Sequence, residues 1–219
     1  MKFNTVLFDL DGTLTDSFPG IADCVEYALS RFGIKVENRA SLSVFVGPPL
    51  LYSFKKFYGF SESDARRAVE YYRELFRESG IYNNTLYDGV VELLSSLKES
   101  RVKLLVATSK PEVFARRILA RHEIDGLFGF IGGATLTDER TSKEQVIDYV
   151  IKSCGTDKSS ALMVGDREHD ITGAHLCGIK AAGVLYGYGS REELEFAGAD
   201  FIAETPEDIK NIICLLYTY

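Results

Sequence analysis

Short apolar runs recur along this chain, and helical patterns separate them. The runs are mostly β-branched or aromatic and each precedes a turn or a polar cluster, which is typical of strands buried on both faces of a sheet. Strands that alternate with helices predict an α/β fold with a parallel sheet and right-handed crossovers. The five runs are Val6–Phe8, Val102–Ala107, Phe128–Ile131, Ala161–Val164 and Ala181–Leu185.

One long interval breaks this alternation. Residues 16–84 show helical spacing and no convincing strand, with Gly47, Pro48 and Pro49 forming a break between two helical pieces. About 70 residues directly after the first strand are too many for a simple crossover. The sequence therefore predicts an inserted helical domain at residues 16–84 and a core formed by residues 1–15 and 85–219.

Two pairs of acids follow two of the predicted strands. Asp9 and Asp11 end the first strand, and Asp166 and Asp170 follow a later one. Since parallel strands present their carboxyl ends at one edge, these four side chains are expected to meet there. Oxygen ligands of this kind suit Mg²⁺. The alternatives are a solvated turn for the first pair and a helix N-cap at Asp170.

Three further positions fit a phosphate site at the same edge. Gly12 permits a tight turn that leaves backbone amides free for an anion. Thr108 and Ser109 follow another predicted strand and could donate to a phosphoryl oxygen, or cap the helix that begins after Pro111. Lys143 opens a predicted helix and could hold the phosphate, although a single lysine is more often a surface residue.

Composition limits the possible partners. The 219 residues carry a net charge of −7, with a pI near 5.1, which argues against a nucleic-acid polymer as the main partner. The apolar runs are shorter than the ~20 residues of a membrane helix. Four widely spaced cysteines show no metal-ligand pattern. These features predict a cytoplasmic protein whose partner is neither a nucleic-acid polymer nor a membrane, and the expected state is a monomer or a homodimer.

The order of these motifs is informative. DxDGT, a hydroxyl residue after a strand, a lysine and GDxxxD resemble, in that order, the phosphatases of the haloacid dehalogenase superfamily. The stretch DGTLTDSFPGIADCVEYAL and the motif GDREHD look closest to the phosphoglycolate-phosphatase-like branch. The resemblance implies a Rossmann-like core with a helical cap domain inserted after the first strand.

The resemblance also implies a role for each motif residue. Asp9 would attack phosphorus, and Asp11 would act as general acid and base. Asp9, Gly12, Thr108, Ser109 and Lys143 would form the phosphate site. Mg²⁺ would be held by a carboxylate oxygen of Asp9, the backbone carbonyl of Asp11 and the side chain of Asp166. Asp170 would act on the ion directly or through a water.

The substrate stays open between related classes. The loop of Gly47, Pro48 and Pro49 resembles the cap segment that faces the active site in this branch. A phosphoglycolate-like ester is the first expectation, and a nucleoside 5′-monophosphate is the alternative. A sugar phosphomutase fits less well, because the stretch after the first motif, Ser17–Gly20, lacks the acid and histidine of such relatives.

Other classes are disfavoured. A dehalogenase would not need Asp11, and a P-type ATPase would need membrane spans. A non-enzymatic receiver domain would carry its aspartate on a later strand and would have no inserted cap.

Overall fold

The structure is a computed structural model that describes residues 3–137 and 139–214. The chain forms two compact units. One is the inserted segment Asp16–Thr85, and the other combines the chain up to Thr15 with the chain from Leu86 onward. The two-residue strands β2 (Thr15–Asp16) and β3 (Thr85–Leu86) pair with each other where the chain leaves the larger unit and returns to it.

The larger unit is built on a six-stranded parallel sheet. Its spatial order is β5-β4-β1-β6-β7-β8. From β1 the chain adds β4 and β5 on one side, and it then returns to add β6, β7 and β8 on the other side. This is the doubly wound Rossmann order. The strands are β1 (Thr5–Phe8), β4 (Lys103–Pro111), β5 (Phe130–Ala134), β6 (Ala161–Gly165), β7 (Lys180–Val184) and β8 (Phe201–Ala203). This arrangement confirms the predicted α/β fold class.

Helices flank the sheet. On one face, Leu7, Leu105 and Met163 from three neighbouring strands pack against apolar residues of two helices, including Val146 and Ile171. All four residues of β1 are buried, so the strand that precedes Asp9 is covered on both faces. The helices of this unit are α4 (Val90–Glu99), α5 (Glu112–Arg121), α6 (Lys143–Cys154), α7 (Glu168–Leu176), α8 (Arg191–Phe196) and α9 (Pro206–Cys214).

Helices joined by loops form the inserted unit, and only its terminal residues Asp16 and Thr85 belong to strands. It contains α1 (Phe18–Ser30), α2 (Leu50–Tyr58), α3 (Glu62–Glu78) and 3₁₀ helices at Arg39–Phe45 and Gly80–Tyr82. Gly47, at φ 98°, and the two prolines after it separate the first 3₁₀ helix from α2, as predicted. Phe45, Phe54 and Phe60 are among the aromatic side chains that pack inside it. Within the described part of the chain, no helix is long and apolar enough to cross a membrane.

Two local expectations differ from the structure. β8 was missed because its apolar run is only three residues long and two of the three are only partly buried. The strand predicted at Phe128–Ile131 lies two residues later, and it continues into Gly132, Gly133 and Ala134. These small residues give a weak strand signal.

Helix α6 begins with a reciprocal cap. The Ser142 side chain accepts from the Gln145 backbone N–H, and the Gln145 side chain accepts from the N–H of Ser142. We expect Ser142→Ala to lower the free energy of unfolding by about 1 kcal/mol, because one orphan N–H of the first turn loses its partner. Chemical denaturation measures this.

The matched control is Ser153→Ala, an exposed position near the other end of α6. Alanine has the higher helix propensity there, so the control should be neutral or slightly stabilising. Equal losses in the two variants would contradict a specific contribution from the cap.

Candidate active site

The carboxyl ends of β1 and β6 lie side by side at the point where the strand order reverses. Phe8 is in register with Val164, and the Asp9 N–H donates to Val164 O at 2.9 Å. Asp9 and Asp166 therefore leave adjacent strands at the same level of the sheet. Ligands of open α/β sheets bind at this switch point.

The N-terminus of α6 brings a lysine to these acids. Lys143 is the first residue of the helix and is only 5% exposed. Its Nζ lies 2.9 Å from Asp9 Oδ1 and 2.7 Å from Asp170 Oδ1, and it donates to Ala107 O at 3.1 Å. A cation is disfavoured at a helix N-terminus by the helix dipole. The carboxylates of Asp9 and Asp170 compensate this unfavourable interaction. Lys143 is therefore buried in the cluster and does not lie on the surface.

Asp170 does not cap a helix that begins at Ile171, as one reading of the sequence suggested. Helix α7 begins earlier, at Glu168, and Asp170 lies in its first turn. Its Oδ2 accepts from the Arg167 N–H at 3.0 Å, while Oδ1 points to the Lys143 ammonium. A carboxylate in the first turn is favoured by the helix dipole. The side chain therefore helps to start α7 and belongs to the acidic cluster as well.

Two loops enclose Asp166. Its Oδ2 accepts from the Tyr188 N–H at 2.9 Å, and Thr13 Oγ1 donates to Oδ1 at 3.4 Å. A Cβ on Gly12 would lie 2.2 Å from Asp166 Oδ2, and a Cβ on Gly187 would lie 2.4 Å from its Cβ. Glycine is required at both positions for this close approach.

Gly12 forms the predicted tight turn, and its part in a phosphate site stays a prediction. Its N–H donates to Thr15 O at 2.8 Å and closes the turn, so this amide is not free for an anion. Gly12 has φ 84° and lies against Asp166. Its observed contribution is therefore to let the turn approach the carboxylate.

Burial sets the electrostatics of the cluster. Desolvation raises the pKa of Asp9 to about 6, with Asp170 and Asp11 adding to the rise and Lys143 opposing it. Burial, together with Asp170 and Asp9, also raises the pKa of Asp166 well above its ordinary value. Burial disfavours the charged form of Lys143, but Asp170 and Asp9 outweigh it and raise the pKa of the ammonium. Asp9 and Asp166 therefore resist ionisation, and Lys143 stays charged.

The cluster fits a divalent cation. Asp9, Asp166 and Asp170 each offer a carboxylate oxygen within 4.8 Å of the others, and all three are buried. Asp9 Oδ1 and Asp170 Oδ1 are buried, and among the described residues the Lys143 ammonium contacts them as ion pairs at 2.9 and 2.7 Å. Three carboxylates and one ammonium leave a formal charge of −2, which one Mg²⁺ would balance. The all-oxygen donor set is the kind that Mg²⁺ prefers.

Asp11 lies apart from the three clustered acids. Its Oδ2 accepts from Lys110 Nζ at 2.7 Å, and both side chains are buried. The sequence reasoning missed Lys110, although it directly follows Thr108 and Ser109. It also missed Gly187 and Tyr188, whose signal is a Tyr-Gly-Tyr-Gly segment, Tyr186–Gly189, just beyond β7.

Thr108 and Ser109, which were predicted to bind phosphate, lie in the irregular end of β4. Thr108 is buried in β4, next to the Ala107 carbonyl that Lys143 contacts, and its hydroxyl accepts from the Lys110 N–H at 3.2 Å. Neither Thr108 nor Ser109 caps α5, which has Pro111 as its N-cap residue. Ser109 follows Thr108 and is half-buried. The loop of Gly47, Pro48 and Pro49 lies in the inserted unit, and its role stays a prediction.

A sequence model of the haloacid dehalogenase-like hydrolases matches residues 6–184. The chain therefore belongs to this family, as the order of its motifs predicted. Within the family it is similar to phosphatases, in sequence and in the fold of a solved structure, over nearly the whole chain.

Individual relatives define this similarity. The chain is 46% identical over 194 residues to a 5′-nucleotidase of Pseudomonas aeruginosa, covering 89% of this chain and 88% of that protein. It is 39% identical over 200 residues to the tyrosine-protein kinase PtkA of Mycobacterium tuberculosis, covering 91% of this chain and 65% of PtkA. It is 26% identical over 218 residues to a phosphoglycolate phosphatase of Vibrio parahaemolyticus, covering 96% of each. The crystal structure of a predicted phosphatase from Clostridium acetobutylicum superposes with a TM-score of 0.96 at 45% identity, covering 99% of this chain and all of that one.

The raised pKa of Asp9 predicts how the free energy of unfolding of the metal-free protein depends on pH. The pKa is about 6 in the folded chain and 3.8 ordinarily. Between these values the folded chain holds a proton that the unfolded chain has lost, so the Asp9 contribution to stability falls as pH rises from 4 to 6. We expect Asp9→Asn to remove this penalty and to be more stable than wild type at pH 7.5 in chelator, by on the order of 2–3 kcal/mol.

Denaturant titrations at pH 4 and pH 7.5 measure the effect, and the advantage should shrink at the lower pH. Asp148→Asn is the control, since that carboxylate pairs with exposed Lys152 on the surface of α6. An Asp9→Asn variant that is less stable than wild type at both pH values would contradict the electrostatic account.

Proposed function

We propose that this chain hydrolyses the phosphate monoester of a small metabolite through a phosphorylated Asp9. The observation that carries the proposal is the buried cluster of Asp9, Asp166, Asp170 and Lys143 at the switch point of the sheet. The fold itself does not require three acids at this edge of the sheet. Burying them together costs free energy unless a ligand compensates their charge.

Asp9 is the nucleophile in this proposal. Its carboxylate attacks the phosphorus atom and the ester oxygen leaves, so the P–O bond to the alcohol breaks as the aspartyl–phosphate bond forms. A water then attacks the same phosphorus atom, releases inorganic phosphate and restores the carboxylate. Splitting hydrolysis in this way makes two easier displacements. Lys143 holds Asp9 in place and offers positive charge to the phosphoryl oxygens, with Thr108 donating beside it.

Asp11 is the general acid and base. It gives a proton to the departing alkoxide in the first displacement and takes one from the attacking water in the second. Positioned proton transfer of this kind contributes about 10²–10⁴-fold to a rate.

Asp9, Asp166 and Asp170 would hold Mg²⁺, together with the backbone carbonyl of Asp11. The ion would supply charge neutralisation, which lets an anionic ester approach an anionic nucleophile. Tyr188, through its backbone N–H, keeps the Asp166 carboxylate oriented for this.

Two substrate classes follow from the motifs and the relatives. A phosphoglycolate-like ester agrees with the closest motif resemblance and with the Vibrio relative. A nucleoside 5′-monophosphate is the second candidate, and the 46% identity to a 5′-nucleotidase over most of both chains favours it. We assign the choice between them to the inserted helical unit, which we propose acts as a cap.

Replacing Asp9 tests the chemical step. Asp9→Asn should abolish turnover of every ester while the fold persists, because the amide cannot attack phosphorus. Initial rates with excess Mg²⁺ measure this, and circular dichroism checks the fold. Asp148→Asn, which also removes one carboxylate, should keep the wild-type rate. Near-normal activity in Asp9→Asn would end the covalent proposal.

A substrate panel tests specificity. The value of kcat/KM should be highest for either phosphoglycolate or the nucleoside 5′-monophosphates, with sugar phosphates well below both. Measuring phosphate release from each ester at equal Mg²⁺ decides between the two classes. A preference for interconverting sugar phosphates without release of phosphate would favour a mutase instead.

A further inference from the structure

The acid–base residue has a partner of its own. Asp11 Oδ2 lies 2.7 Å from Lys110 Nζ, and the two side chains are only 9% and 6% exposed. The residues are 99 positions apart in sequence, so the contact is created by the fold. A charge-assisted hydrogen bond that is shielded from water is strong and directional.

An irregularity in β4 places Lys110. Thr108 is in register with Gly133, but the next pair is Pro111 with Ala134. Three steps along β4 therefore match one step along β5, and Ser109 and Lys110 are extra residues. A bulge of this kind re-aims side chains near active sites. Gly133 permits it, since a Cβ there would lie 2.5 Å from Lys110 O.

The two carboxylate oxygens of Asp11 differ in their surroundings. Oδ2 accepts from Lys110, while Oδ1 is buried and accepts no hydrogen bond from the described residues. We propose that Lys110 is a positioning residue that anchors Asp11 by Oδ2 and thereby presents Oδ1 to the ester oxygen of the substrate. This inference rests on the proposed function.

Such a role makes a prediction that depends on the leaving group. An alkoxide must be protonated as it departs, whereas p-nitrophenolate leaves easily without a proton. Replacing a residue that acts through Asp11 should therefore lower kcat/KM strongly for alkyl esters and much less for p-nitrophenyl phosphate. A residue that only binds the phosphoryl group, or only supports the fold, should affect both substrates alike.

The experiment compares Lys110→Met with wild type in Mg²⁺. The alkyl ester is phosphoglycolate or adenosine 5′-monophosphate, whichever wild type hydrolyses faster, and the aryl ester is p-nitrophenyl phosphate. We expect kcat/KM for the alkyl ester to fall at least about tenfold more than for the aryl ester. Lys110→Arg should restore part of the loss, because it keeps a charged donor. Lys103→Met is the control: it lies on the same strand and contacts Cys154 O.

A double variant separates positioning from direct binding. In an Asp11→Asn background, Lys110→Met should change kcat/KM little, because the group it positions is gone. Removing both charges also avoids leaving a buried carboxylate unpaired, so this variant should fold even if Lys110→Met is unstable.

Equal losses on the two esters, or a full additional loss in the Asp11→Asn background, would overturn the role of Lys110. A wild-type protein that hydrolyses none of these esters would overturn the proposed function itself, so the two failures are distinguishable.

Discussion

The structure depends on a charge imbalance in its interior. Asp9, Asp166 and Asp170 are buried together, and Lys143 is the cation that contacts two of them. Burial raises the pKa of Asp9 and Asp166, which means that the metal-free fold holds these acids at a cost. A cost of this kind persists where function requires it. A divalent cation is the ligand that would relieve it, because its charge offsets the excess of buried carboxylates.

The fold explains how residues so far apart in sequence come together. β1 and β6 are neighbours because the doubly wound order reverses between them, and an aspartate directly follows each strand. Helices α6 and α7 then add Lys143 and Asp170 from their first turns. Small residues are needed around the site, since glycines at positions 12 and 187 allow two loops to pack directly against Asp166. The glycines that surround Asp166 are therefore as necessary to the geometry of the site as the acids themselves.

Much of this could be predicted from sequence. The parallel sheet, the helical insertion and the acids after two strands follow from apolar periodicity and from the rule that parallel strands share a carboxyl edge. Lys110 could not be predicted in this way, because its direction depends on a bulge in β4 that has no local signal. The Tyr-Gly-Tyr-Gly segment marks a loop after β7, but it does not indicate that the Tyr188 backbone N–H donates to Asp166. The position of Asp170 in the first turn of α7 could not be predicted either, because the helix begins two residues before it.

We propose that the acidic cluster binds one divalent cation, and calorimetric titration of the chelator-treated protein with Mg²⁺ measures this binding. We expect one ion per chain, with affinity at least about tenfold weaker in Asp166→Asn and unchanged in Asp148→Asn. Binding of equal strength in wild type and Asp166→Asn, or no saturable binding in wild type, would contradict it.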